Sequence, residues 1–529
     1  MRDFQAGGRS PAFGAEGMVA TSHPAASLAG LDTLRAGGNA MDAAIAAVAV
    51  LAVVEPQSTG IGGDAFCLFS PKGGPDVLAY NGSGRAPGAA DADALCAAGH
   101  EAIDPDSPHA VTVPGAVDAW VQLAADHGRL RLDQLLAPAI AMAEEGAPVH
   151  PRVAYDWARS RDRLARHAAS AELFLPDGRA PAPGARHRQP ALAQTLRRIA
   201  NQGRGGFYDG PVAADMVAAL AAEGGVHTEE DFAAAAGAYV EPVRTAYRGY
   251  EVVECPPNGQ GLVVLQMLNL LKGFDLAGLD PLGPERFHLA GEAARLAYRD
   301  RNALIADPDA YSVPVADVLS ERYAADLRAL IAPERRLATL PPAGATRPAD
   351  TVYLCAVDVE RNAVSFINSL FHSFGSAILA PASGVMLHNR GAGFSLEPGH
   401  PNRLAPGKRP LHTIIPGMLL EGDRTIMPFG VMGGHFQPVG NVHFLTNLID
   451  YGLDPQAALD LARGFCTEEA YELEQGVPEA TAQTLATLGH RVVPADEPLG
   501  GGQAIRIDWQ TGVLIGGSDP RKDGCALGY

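Results

Sequence analysis

From Ala43 to Val54 the chain runs apolar through 12 consecutive positions, between Asp42 and the stop Glu55-Pro56. A bilayer crossing needs about 20 such residues, so the run predicts a helix over Asn39–Val54 buried inside a protein core. Asp42 falls in its first turn, where a carboxylate suits the positive end of the helix dipole. Upstream, Gly17-Met-Val-Ala-Thr predicts a short strand and Ala25–Arg35 a helix ended by Gly37-Gly38. Downstream, Gly60-Ile-Gly-Gly-Asp64 leads into a strand over Ala65–Ser70; with no G-x-G-x-x-G spacing and no helix after it, it does not read as a phosphate cradle. Residues 110–335 read as mainly helical, Ala- and Leu-rich and punctuated by Pro138, Pro151, Pro181 and Pro183. Around Pro333–Ala349 the composition turns to Pro, Ala, Arg and Thr, which predicts an exposed linker. Directly after it, Thr351–Val357 alternates between two faces as a strand does, and a turn at Asp358–Asn362 leads to a second strand, Ala363–Phe371. Short strands at 417–420, 491–493, 503–508 and 512–516 and a helix near Pro438–Asp450 complete the pattern. Helices covering hairpin-linked strands predict a layered α+β architecture with antiparallel sheet.

Composition narrows the class. The chain has 529 residues, 47% hydrophobic and 19% charged, enough apolar content to exclude a disordered protein. At about 150 residues per domain it holds three to four domains' worth of chain or one large packed unit. Lys and Arg number 41 against 60 Asp and Glu, a net charge of −19 without a basic stripe, which argues against nucleic acid or an anionic membrane as partner. The start, Met1-Arg-Asp-Phe-Gln, lacks the apolar stretch of a secretory signal, so the expected location is the cytoplasm. Six cysteines (Cys67, Cys96, Cys255, Cys355, Cys466, Cys525) stand far apart without a C-x-x-C pair and are expected to be reduced and buried. His372, His388, His412, His435 and His443 have no metal-motif spacing, and neither a metal nor another cofactor is expected.

No G-x-S-x-G, H-E-x-x-H or Walker sequence is present. The feature that carries chemistry is a threonine opening a strand directly after the linker. If the Asp350–Thr351 bond were cut, Thr351 would bear a hydroxyl and a free α-amine whose reference pKa of about 7.7 to 8.0 leaves a substantial neutral fraction near pH 7. Nucleophile and base would then sit on one residue. Asp-Thr at a strand start is common, so spacing alone leaves an ordinary strand residue as the reading.

The wider pattern shifts that balance. Gly37-Gly-Asn-Ala-Met-Asp-Ala-Ala44, Gly60-Ile-Gly-Gly-Asp64, Val113-Pro-Gly115, Gly205-Gly-Phe-Tyr208, Glu292-Ala-Ala-Arg-Leu-Ala-Tyr-Arg-Asp300, Asp307-Pro-Asp309, Lys408-Arg-Pro-Leu411, Gly433-Gly434, Asp450-Tyr-Gly-Leu453 and Gly517-Ser-Asp-Pro-Arg521 occur in the order seen in the γ-glutamyltransferase family. The chain resembles that family from about residue 17 to its end. The resemblance implies a four-layer αββα sandwich of the N-terminal nucleophile hydrolase type, made as one precursor that cuts itself into a large subunit, 1–350, and a small one, 351–529. A homodimer of such αβ units is left open. Thr351 falls on the family's self-cleavage nucleophile, and Ser369 where the family has a Thr whose hydroxyl supports it. Gly433 and Gly434 fall on the pair whose backbone N–H groups hold the oxyanion, a task for which glycine leaves room.

The departures point to the substrate. Ser83 stands where the resemblance implies an Arg for the glutamate α-carboxylate, Gly393 where it implies an acidic residue for the α-amine, and Phe371 in place of an Asn. His412-Thr413 replaces a Ser-Ser pair, and the connection from Phe394 to Lys408 is too short for the lid of many members. New polar groups fall at the same places: Arg390, His412, Thr413 and His435, with Arg85 as a further candidate for the lost clamp. The expected enzyme is therefore a self-processing N-terminal-threonine amidohydrolase acting on a small carboxylate-bearing acyl donor such as oxamate. A glutathione hydrolase, a glutaryl-type (cephalosporin) acylase, a metal hydrolase and an uncleaved binding protein are the alternatives.

Overall fold

The computed structural model describes residues 8–338, 340 and 350–529, so most of the expected linker lies outside the described residues. Two seven-stranded sheets stack face to face. One runs in the order β14 (Cys525–Gly528), β2 (Met18–Thr21), β8 (Asp350–Val357), β9 (Ala363–Phe371), β3 (Asp64–Ser70), β4 (Leu78–Gly82), β5 (Ala238–Val240). The other runs β1 (Ala12–Gly14), β13 (Leu514–Ser518), β12 (Gly501–Ile507), β11 (Arg424–Met432), β10 (Gly417–Glu421), β7 (Tyr250–Glu254), β6 (Val243–Tyr247). Every pairing in them is antiparallel. Phe66, Tyr353, Cys355, Ile367, Met418 and Ile505 fill the space between the sheets.

Helices cover both outer faces, giving the four layers. On the first sheet lie α1 (Pro24–Arg35), α2 (Ala40–Val54), α3 (Ala116–His127), α4 (Leu132–Glu145) and α5 (Pro190–Gln202). On the second lie α6 (Gly261–Leu271), α7 (Pro284–Leu304) and α8 (Gln437–Ile449). The apolar run forms α2, and all 15 of its residues are buried, as a helix without a polar face must be. Asn39 and Asp42 close a reciprocal cap at its start, and the Asp42 carboxylate also accepts from the backbone of Arg129 and Leu130. No described helix is long and apolar enough to cross a membrane.

Residues 110–335 are mainly helical, as expected, but within them Val243–Tyr247 and Tyr250–Glu254 form a hairpin through Arg248-Gly249, both at positive φ. The central strand β11 was not expected at all, since Pro428 and Gly430 interrupt its strand pattern. Gly430 serves the stacking of the sheets: a Cβ there would lie 2.5 Å from the Tyr353 ring. Among the thiols, Cys96 is exposed and Cys525 half-buried rather than buried, while the other four are buried.

Candidate active site

Strand β8 begins at Asp350, and its register against β9 (Asp350 opposite Phe371, Val352 opposite Asn368) contains a bulge at Thr351. The bulge sets Thr351 beside Ser369, with their hydroxyl oxygens 3.1 Å apart and both residues fully buried. Gln437, the first residue of α8, brings Nε2 to 3.5 Å from Thr351 Oγ1 while its Oε1 accepts from Ile415 N. The glycine cluster before β3 exists for close packing here. A Cβ on Gly63 would lie 2.4 Å from the Ser369 carbonyl oxygen.

Arg390 lies fully buried against this pair. Its Nη1 donates to Thr413 Oγ1 at 2.6 Å and its Nη2 to Ser369 Oγ at 3.3 Å, and Nε has no partner among the described residues. The guanidinium stacks 4.0 Å over the Phe371 ring. Among the described residues no carboxylate comes within ion-pair distance of it. Burial lowers its pKa to about 9, opposed by the field of Asp64. Phe371, standing where the family resemblance implies Asn, has φ +77, a conformation that costs a bulky side chain about 1 kcal/mol or more. Its backbone N–H donates to Ser369 Oγ at 2.8 Å.

Asp64, opposite Ser369 in the β3–β9 register, organises the other side. Its carboxylate accepts from the backbone N–H of Gly84 and Gly115, each at 3.0 Å, and from His412 Nε2 at 3.0 Å, with His388 Nδ1 at 3.6 Å. Burial pushes this carboxyl up, but His388, the His412 hydrogen bond and Arg390 outweigh burial and hold it at about 2. Burial and then Arg390 drive His412 down to about 3, so the pair is a carboxylate receiving a hydrogen bond from a neutral imidazole. Ser83, at the lost clamp, is buried; its hydroxyl donates to Asn81 Oδ1 and its carbonyl accepts from Arg409 Nε at 3.1 Å.

Gly433 and Gly434 follow β11 with φ of +127 and +55, values that exclude most side chains. The Gly433 carbonyl accepts from Phe436 N, and the Gly434 carbonyl from Gln260 Nε2 at 3.0 Å. The same Nε2 donates to the Thr413 carbonyl at 2.8 Å, which ties this loop to the acceptor of Arg390.

Thr351, Ser369, Arg390, His412 and Thr413 thus share one buried cluster, and His435 borders it through the Phe371 ring, 5.9 Å away. Arg85 does not join them. Its part-exposed guanidinium is taken by Asp307, Asp309 and the Gly407 carbonyl, so it is not available to a substrate carboxylate. Asp64, Gln260 and Gln437 were not singled out from the sequence. Asp64 alone carried a signal, as an ionisable residue opening a strand of the buried type.

A family model described as gamma-glutamyltranspeptidase matches residues 26–529. The chain belongs to that family. As a family member it is an enzyme, a hydrolase acting on amides and made as a self-processing precursor. It is 39% identical to a glutathione hydrolase-like YwrD proenzyme of Bacillus subtilis (strain 168) over 98% of this chain and 99% of that one. It is 36% identical to an oxamate amidohydrolase proenzyme of Klebsiella pneumoniae over 97% of this chain and 98% of that one. In structure it is similar to a cephalosporin acylase from Bacillus halodurans, with TM-score 0.93, 44% identity and coverage of 100% and 99% of the two chains. That likeness establishes the sandwich as the N-terminal nucleophile hydrolase fold.

The buried histidines set the acid stability of this enzyme. A histidine held at about 3 in the fold and at 6.5 when unfolded stays neutral in the native state, so the unfolded chain binds the extra proton as pH falls between those values. Each contributes stability that is whole above pH 6.5 and is lost toward pH 3. His23 and His490, also pushed to about 3 by burial, add to His412. Denaturant midpoints are expected to decline from pH 6.5 to 4, and His412→Gln to flatten part of that decline.

Proposed function

We propose that the chain cuts itself between Asp350 and Thr351, and that the freed Thr351 hydrolyses the amide of a small acyl donor ending in a carboxylate and lacking an α-amine. Oxamate is the simplest such donor. The observation that carries the reading is Arg390: a buried cation that has no carboxylate partner among the described residues, two bonds away through Ser369 from the Thr351 hydroxyl. A planar guanidinium with an unused Nε is suited to a substrate carboxylate, whose charge would compensate the buried cation. Residues 1–350 and 351–529 would be the two pieces of one folded unit.

In this reading Thr351 Oγ1 attacks the amide carbon and its α-amine accepts the hydroxyl proton. The Gly433 and Gly434 N–H groups hold the resulting oxyanion, and the proton passes to the leaving nitrogen as the C–N bond breaks. Water then attacks the Thr351 ester, regenerating the hydroxyl and releasing the acid; the balance is amide plus water to acid plus ammonia or amine. Ser369 orients the Thr351 hydroxyl, and Thr413 orients Arg390. His412, fixed by Asp64, shapes the wall of the acyl seat. Because the α-amine works as the neutral base, kcat should rise with pH and level off above about 8.

A longer carboxyl-terminated acyl group, of the glutaryl type, is the second reading, favoured by the likeness to a cephalosporin acylase. A γ-glutamyl donor fits less well, since Ser83 and Gly393 offer no charge to an α-carboxylate or an α-amine. Ammonia or amine release from oxamate, glutaryl amides, glutamine and γ-glutamyl-p-nitroanilide tests the choice. The carboxyl-terminated amides should lead, and γ-glutamyl-p-nitroanilide leading all others would refute the proposal.

A further inference from the structure

On α7, one turn from its end, Arg301 is a second buried arginine that no carboxylate neutralises among the described residues; its Nε and Nη2 donate to Asn302 Oδ1. Its Nη1 donates at 2.9 Å to Gln260 Oε1 and at 2.9 Å to His435 Nδ1. A guanidinium only donates, so Nδ1 is the acceptor and the His435 proton resides on Nε2. Tyr298, on the same face of α7, donates its hydroxyl to the His435 carbonyl and stacks beneath Arg301 at 4.5 Å. Gln260, oriented by Arg301, in turn holds the Gly434 and Thr413 carbonyls. The loop carrying the two glycines is therefore pinned at Gly434 and twice at His435, each time from the segment that precedes Asp350.

We propose that Arg301 is a positioning residue of this enzyme: it fixes His435 as the neutral Nε2–H tautomer and, through Gln260, holds the glycine loop and the Arg390–Thr413 seat in one rigid frame. The inference rests on the proposed role of that loop in amide hydrolysis. His435 borders the cluster and is partly accessible, and its Nε2–H is then a neutral donor beside the place where the amide carbonyl and leaving nitrogen would lie. The groups that face its ring are Arg301 from α7 and, from the segment after Thr351, His372 and Arg390, with Phe371 at its edge. Burial first, and then these groups, all cationic or able to become so, hold His435 well below its usual range. Removing Arg301 removes both the hydrogen bond that selects the tautomer and one of those cations.

The first test needs no variant. In the processed wild-type protein labelled with ¹⁵N-histidine, with the His435 signals assigned by their loss in His435→Phe, Nε2 should be protonated and Nδ1 bare at pH 7. A protonated Nδ1, or an imidazolium at pH 7, overturns the proposal. Arg301→Gln should then raise the His435 titration toward the usual histidine range, give the kcat profile a new acid limb, and lower kcat about 100-fold, as slight misplacement of a transition-state donor does. KM for a carboxylate substrate should move less than about twofold, because Arg390 is retained. Arg301→Lys, a single point donor, should restore part of kcat but not the double contact. An Arg301→Gln enzyme with unchanged imidazole signals and an unchanged pH profile overturns the proposal, whatever its kcat. If the wild type hydrolyses no carboxyl-terminated amide, the proposed function fails, while the ¹⁵N experiment still decides the role of Arg301.

Discussion

Thr351→Ala is expected to remain a single chain of 55.1 kDa and to lose amide hydrolysis by a factor of about 10⁶, the scale seen when a catalytic nucleophile is removed. One substitution should abolish two activities, self-cleavage and turnover, because both use the same hydroxyl. Thr351→Ser keeps the hydroxyl and, after cutting, the α-amine, so it should process and turn over, more slowly because the side chain that fills the fully buried site is smaller. A denaturing gel and an ammonia assay on the same preparations read both effects. An alanine variant that still separates into two bands would place the cut chemistry elsewhere.

Arg390→Met separates function from stability by the sign of two changes. Truncating one member of a fully desolvated charge contact costs about 2 to 5 kcal/mol of binding, so kcat/KM toward carboxyl-terminated amides should fall by about 30- to 5000-fold. The fold should lose nothing, and the Tm should stay level or rise. Among the described residues the buried guanidinium has no carboxylate partner and its Nε is unpaired, so an apolar side chain of similar length removes a desolvation cost. Asp64 loses only part of its support with Arg390, because two backbone N–H groups and His412 still solvate it. A structural arginine would give the opposite pattern, with lower Tm and retained kcat/KM. Arg390→Lys should recover little activity, since an ammonium cannot reach Thr413 and Ser369 in the same plane and still face a carboxylate.

Much of this was legible in the sequence where one local rule dominated. The buried helix α2 followed from an unbroken apolar run, and Ala363–Phe371 from the turn that sets it after the preceding strand, with bounds that agree with the structure. Strand β11 was hidden because its residues answer to the opposite sheet. Gly430 is set by the Tyr353 ring, and a strand pattern gives no notice of that contact. The site divides in the same way. Thr351, Ser369, Gly433 and Gly434 were reached through ordered motifs, and Arg390, His412 and Thr413 through the positions where those motifs change. Asp64, Gln260, Gln437 and Arg301 act in large part through partners distant in sequence, 41 positions away for Arg301–Gln260 and 348 for Asp64–His412. Arg85 was misjudged for the converse reason: its neighbours in sequence suggested the clamp, while Asp307 and Asp309 claim it in space.

The net charge of −19 sits oddly with an anionic substrate until the site is considered locally. Two guanidinium groups, on Arg390 and Arg301, lie in or beside the cluster with Asp64 as the carboxylate nearest to Arg390 in effect. Buried charges are screened far less than those on the surface, so on the proposed reading the local cations would govern binding of an anionic substrate.

The central claim, that the chain becomes active by making Thr351 an N-terminal residue, is tested most directly by intact-mass and N-terminal analysis of the purified wild-type protein. A chain of 55.1 kDa divided in the ratio 350 to 179 gives pieces of about 36 and about 19 kDa. The smaller should begin Thr351-Val-Tyr-Leu-Cys and should appear together with amidase activity. An intact 55.1 kDa chain that hydrolyses amides, or a small piece that begins at another residue, would contradict the account.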